Sequence, residues 1–512
     1  MVRRMPVVSM LGSAAREFLG LNRHRVTAPT HSSESNPERL PIAIRIFYGI
    51  GSISEGIKNF TFNVFLLFFY NNVLGLSGSL AGLAIFIALC VDAVTDPLVG
   101  SISDSFRSRW GRRHPFMYAS ALPMAVCFVL LFSPPELSET GLFAWLCCFA
   151  VGVRASMTFY SIPSSAMLPE MTSNYDERTS LVSWRYLLGW LGGIGMTFVA
   201  YRYFLVPTPA YPDGRLNPEA YSSYATLGAV VIFGAIIICA LGTHRLIAQM
   251  RKTSGSTEPF SVGRLLGELK ETFSNRSYLM VVLALMSASI AGGFNDVVGL
   301  YVNTYFWEFT TNQLSLLLLT PILSIVVAFG GTRKLTEKFD KREAALGLTT
   351  FAVFVGPLPI FLRLAGWMPA NGDPLLFWII MVHTGLVIAP VVAISIIASS
   401  MVADTVDQSE LSTGHRREGM FSSAIAFSLK AASGVGTLAA GVALDWIAFP
   451  TGAEVGAIAQ GKLVALGFAV GPGLLFFYFL TLFFLSRYRM TRAEHQEILN
   501  ALALRRPPAA DL

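Results

Sequence analysis

The feature that most restricts this chain is a succession of apolar stretches, each about twenty residues or longer, separated by short polar turns. A stretch of that length spans the hydrocarbon of a bilayer as a helix, which satisfies its own backbone hydrogen bonds. Hydropathy predicts twelve, at roughly 42–70, 78–104, 115–133, 141–168, 179–204, 223–246, 278–305, 312–332, 344–366, 374–402, 420–447 and 462–486. Composition agrees: 53% of the 512 residues are hydrophobic and 14% charged, with a mean hydropathy of +0.55. This describes an all-α, multi-pass membrane protein. All five cysteines lie in apolar runs without metal-ligand spacing and are read as packing residues. The net charge of +6 is a matter of loop distribution and does not imply nucleic acid.

The expected organisation is a disordered cytosolic tail over 1–40, a six-helix half over 41–247, a cytosolic linker over 248–277, a second six-helix half over 278–487 and a cytosolic tail over 488–512. Basic residues set orientation. The turn after span two holds Arg107, Arg109, Arg112 and Arg113, and the turn after span eight holds Arg333, Lys334, Lys338, Lys341 and Arg342. The turn after span ten holds Arg416 and Arg417, whereas Pro134–Gly141, Trp307–Gln313 and Pro369–Pro374 lack Lys and Arg. The positive-inside rule then puts both termini in the cytosol. The halves echo each other: spans four and ten each end in an acid, Glu170 and Asp404, followed by a charged segment. Duplication of this kind predicts a transporter with its site between the halves near the midplane.

Within the spans, Asp92 and Asp96 stand one helical turn apart in the middle of an apolar run. A carboxylate at that depth costs about 2.5–3.5 kcal/mol on insertion scales, so the pair needs a cation, a proton or a buried base. Thr95 lies between them, and Lys430, near the middle of span eleven, is the natural counter-charge. Snorkelling to an interface is the alternative for that lysine. Hard oxygens suit Na⁺ or a competing proton; no other metal and no cofactor is expected. Glu55 and Lys58, at i and i+3 in span one, either neutralise each other or contact substrate. Arg185 is read as a ligand or gate residue, or as a snorkelling one. Tyr160 and Ser161 join the candidate cavity wall, and Asn295 and Asp296 either line it or cap a broken helix. His383 reads as a packing residue. Asp104, Arg112, Arg113, Glu170, Arg178, Asp404, Arg416 and Arg417 are expected to pair across the halves and close the inner mouth.

At Asp92-Ala-Val-Thr-Asp-Pro-Leu-Val-Gly100 and Arg107-Ser-Arg-Trp-Gly-Arg-Arg-His-Pro115 the chain resembles the glycoside–pentoside–hexuronide:cation symporters, a branch of the major facilitator superfamily that includes the melibiose permeases. Tyr48-Gly-Ile-Gly51, Ile162-Pro163 with Pro169 to Arg185, and Met401-Val-Ala-Asp-Thr-Val-Asp407 running to Lys430 match in order. The resemblance implies a cation site of Asp92 and Asp96, with Thr95 and Thr158 near it and Lys430 beside it. Melibiose permeases carry Asn at the place of Thr95. Two acids of their sugar site fall at Gly56 and Ser161, and tryptophans of that site at Ser165 and Ser395, while its arginine is kept as Arg185. Cation coupling is thus expected to be kept and galactoside recognition lost.

The expected function is Na⁺- or H⁺-coupled symport of a sugar or glycoside by a monomer in a bacterial inner membrane. A carrier of lipids or other amphiphiles is the alternative on the same fold. A membrane enzyme or sensor is the remote one, lacking any nucleophile–base set or attached signalling domain.

Overall fold

The computed structural model describes residues 40–172, 174–250, 273–414 and 418–505. The expected N-terminal tail, most of the linker, the last residues of the C-terminal tail, Arg416 and Arg417 lie outside the described residues. The chain divides into Met1–Leu40 and Pro41–Leu512, and the described residues of the second unit form twelve long helices followed by a shorter one, Arg492–Arg505.

The helices are α1 (42–73), α2 (Gly78–Ser105), α3 (His114–Leu131), α4 (Glu139–Ala166), α5 (175–204), α6 (Pro218–His244), α7 (Arg276–Tyr301), α8 (Thr311–Lys338), α9 (Lys341–Leu364), α10 (Pro374–Thr413), α11 (Glu418–Trp446) and α12 (Gln460–Arg487). Ten of them are long and apolar enough to cross a membrane. The other two, α1 and α5, carry Glu55, Lys58, Glu177 and Arg185, so the helices that fall short in apolarity are helices bearing polar groups inside the protein. Local signals set the ends. Ser77 and Ser138 cap α2 and α4, Thr310 and Gln313 form a capping box at α8, and Asp373 caps α10 just before Pro374. The same helix stops at Gly414, whose φ of 75° is the left-handed cap that glycine adopts without strain.

Packing repeats between the halves. In the first six helices α1 lies on α5 and α6, α2 on α4, and α3 on α4 and α6; in the second six, α7 lies on α11 and α12, α8 on α10, and α9 on α10 and α12. The halves meet chiefly where α2 packs on α11. That approach is backbone to backbone: a Cβ on Gly441 would stand 2.0 Å from the carbonyl oxygen of Gly78. Small residues at such crossings are how helices associate in lipid, where burial of apolar side chains gives little drive. Outward faces stay apolar, as at Val326, Phe329, Phe354 and Phe476, which matches contact with acyl chains.

Candidate functional site

Asp92 and Asp96 on α2 face Arg154 and Thr158 on α4, and each pair is spaced one helical turn apart, so two short ladders of polar side chains oppose each other. The Thr158 hydroxyl lies 2.9 Å from Oδ1 of Asp92 and 2.9 Å from Oδ1 of Asp96. Arg154 donates to Asp92 Oδ2 at 3.2 Å, and Lys430, from α11 in the other half, donates to the same oxygen at 3.2 Å and also to Asp96 Oδ2. Asp92, Arg154 and Thr158 are buried; Lys430 is 39% exposed, on the side of the cavity it lines. Both Oδ2 atoms therefore accept from a base, the two Oδ1 atoms share the Thr158 hydroxyl, and two acids meet two bases. Thr158 has a single hydrogen to give. Both of its contacts become hydrogen bonds when one of the two carboxyls carries a proton.

Of the residues that the sequence reading grouped here, the structure brings Asp92, Asp96, Thr158 and Lys430 together. Thr95 is corrected: its hydroxyl donates to the backbone carbonyl of Asp92 at 3.2 Å, a bond within its own helix turn, and it does not line the cavity. The sequence reading gives Arg154 no role. Its signal was its place four residues before Thr158, on the face that meets α2.

A cavity of about 490 Å³ opens beside the cluster, lined by Glu55, Lys58, Asn59 and Asn63 of α1, Ser161 of α4, Asp296 of α7 and Ser433 of α11, together with the cluster itself. Glu55 does not neutralise Lys58. It pairs with Arg185 of α5 at 2.9 Å, and Arg185 also donates to Ser52, Tyr48 and Ser165. Arg185 thus braces α1, α4 and α5 together and is not among the residues that line the cavity. Lys58, buried at 8% exposure, makes no ion pair among the described residues and faces the cavity. Tyr160 is also corrected: it is fully buried against Gly51 and Cys239 and lines no part of the cavity. Helix α7 runs unbroken through Asn295 and Asp296, so neither caps a helix end. Asp296 lines the cavity and accepts from Asn63 at 3.1 Å; Asn295 is exposed outside it. His383 packs as expected, its Nε2 2.8 Å from the Val355 carbonyl oxygen.

At the end bearing the Arg107–His114 turn, Asp104, Arg112, Arg113 and Glu170 pair within the first half, and Lys341 and Asp404 within the second. Arg112 and Arg113 reach Glu170 at 2.7 and 3.1 Å, Arg113 also meets Asp104, Arg178 donates to the Thr172 carbonyl, and Lys341 binds Asp404 at 2.7 Å. A base at the start of the third helix of each half thus holds an acid near the end of the fourth, which repeats the sequence echo in space. Among the described residues, the bonds that join the halves lie at the midplane and at the opposite end. There Tyr301 donates to Asn71, Asn72 to Tyr305, and Arg215 to Thr304. Asp445 of α11 accepts the backbone N–H groups of Gly78 and Ser79 at 2.8 and 2.7 Å, placing a carboxylate on the positive end of α2. That end is closed.

A family model described as MFS/sugar transport protein matches residues 47–492. The chain belongs to that family. It is therefore a transporter rather than an enzyme, and the resemblance to the glycoside–pentoside–hexuronide symporters is borne out. Similar proteins include the isoprimeverose transporter of Lactiplantibacillus pentosus, 26% identical and covering 82% of this chain and 85% of the relative. A putative glycoside/cation symporter of Escherichia coli, YagG, is 24% identical over 91% of this chain and 95% of its own. Among solved structures, the inward-open xylose transporter XylE from E. coli shares the fold at a TM-score of 0.56 and 14% identity, covering 90% of this chain and 99% of that one. The major facilitator fold and a small-molecule cargo follow from the family.

Proposed function

We propose that the protein is a cation-coupled symporter of a sugar or glycoside, working by alternating access in a bacterial inner membrane with both termini and the basic turns in the cytosol. The observation that carries this reading is Lys430, which reaches from one half to hold both acids of the other. Whatever ion changes the charge of Asp92 or Asp96 changes the bond between the halves. A coupling free energy of about 1–3 kcal/mol between ion and substrate is then enough for symport. The hydrogen count at Thr158 favours a proton. Amide, hydroxyl and charged side chains on the cavity wall, with Lys58 and Asp296 turned into it, favour a hydroxylated solute over an amphiphile. Binding of such a cargo by hydrogen bonds is the general use of polar groups in a pocket. Proteoliposomes given a panel of glycosides and uronides are expected to show proton or sodium entry with at least one of them. Substrate uptake without movement of either ion would sink the symport reading, and uptake of lysolipid alone would replace the cargo.

The Asp445 contact between the halves gives a second expected outcome. Asp445→Ala removes the acceptor of two α2 backbone donors, and losing a helix cap costs about 0.5–2 kcal/mol. The balance should shift toward the state open at that end, read as faster labelling of a cysteine placed at Ser433 from the outside. Unchanged labelling would show that the Asp445 contact does not hold the end shut.

A further inference from the structure

We propose that Arg154 is a resident cation that takes the place an alkali ion would occupy at the Asp92/Asp96 pair, so that this carrier does not bind Na⁺ there. The inference rests on the symport reading for its meaning in transport, and on geometry alone for its claim about binding. The expected Na⁺ site needs carboxylate and hydroxyl oxygens left open, with a net negative charge that one lysine does not cancel. The structure gives neither. Oδ2 of Asp92 already accepts from Arg154 and Lys430, Oδ2 of Asp96 from Lys430, and the two Oδ1 atoms lie on Thr158. The bases facing the pair are Arg154 from α4, Lys430 from α11 and, across the cavity, Lys58 from α1; Asp296 of α7 lines the same cavity, and Glu55 is held by Arg185. Three bases thus balance Asp92, Asp96 and Asp296, and a further cation finds no uncompensated carboxylate. Arg154 is no passing visitor. It is 8% exposed, and its guanidinium carbon lies 5.2 Å from the Phe62 ring centroid on α1, a cation–π contact that keeps it turned into the cluster.

Removing the tethered charge should therefore create the ion site. Purified wild-type protein is expected to melt at the same temperature in sodium and choline chloride of equal strength, and to bind no ²²Na⁺ above a choline-competed background. Arg154→Gln keeps most of the side-chain volume and drops the charge. It is expected to bind about one ²²Na⁺ and to gain about 2 °C or more in Tm with sodium, saturably; the further change Asp96→Asn should abolish both. Arg154→Ala serves as the second variant should the glutamine fail to fold. Saturable Na⁺ binding by the wild type that Asp96→Asn removes would overturn the proposal, as would folded Arg154 variants that bind no Na⁺. Substrate-driven ion flux, measured on the same wild-type preparation, separately reports whether the symport reading stands.

Discussion

Asp92→Asn is expected to abolish uphill accumulation of substrate while the protein still reaches the membrane. The carboxylate is buried and serves three groups at once, Arg154, Lys430 and Thr158. Its loss leaves the buried Arg154 without its acid, and breaking a buried pair from one side costs about 3–5 kcal/mol. A change of about 3 kcal/mol corresponds to roughly 100-fold in an equilibrium, far more than the coupling energy a symporter uses. Downhill exchange can survive, because the cavity wall on α1 and α7 is untouched. Uptake against a gradient at the wild-type level, with normal membrane abundance, would remove Asp92 from the coupling role.

Lys430→Met is the second large effect. It strips the base that α11 gives to the pair, leaving Thr158 as the donor to Asp96 among the described residues. Active uptake should fall by about tenfold or more, since an uncompensated charge in a low-dielectric site is expensive to keep. The informative variant is the double one, Lys430→Met with Asp96→Asn. If charge balance across the interface is what the lysine provides, the double variant is expected to recover expression and substrate binding that the single one loses, yet to remain uncoupled. Additive losses in the double variant would mean the two groups act separately.

Much of this was readable before any coordinates. The apolar lengths gave the spans because backbone satisfaction in lipid leaves few options, and the depth of Asp92, Asp96 and Lys430 gave the cluster because such groups are too costly to keep idle there. What sequence spacing does not show is which of several faces a helix turns inward. Arg154 and Arg185 both sit mid-span, yet one completes the cluster and the other braces α1 with Glu55. The Glu55–Lys58 spacing allowed an internal pair, and a partner on α5 with a better fork for a carboxylate took Glu55 instead. Thr95 looked placed for the site by adjacency, but its rotation sends its hydroxyl back to its own helix. The charged turns were expected to bridge the halves; Arg112 and Lys341 instead found acids within their own halves, at 2.7 Å for both Arg112–Glu170 and Lys341–Asp404, and Arg178 found a backbone carbonyl.

The most direct test of the central claim, that ion binding at Asp92 and Asp96 governs the hold between the halves, is substrate-induced ion entry in proteoliposomes containing either the wild type or Asp96→Asn. The account expects the wild type to take up protons as a glycoside is added and the variant to move the same glycoside down its gradient with no ion. Equal ion entry through both proteins would contradict it.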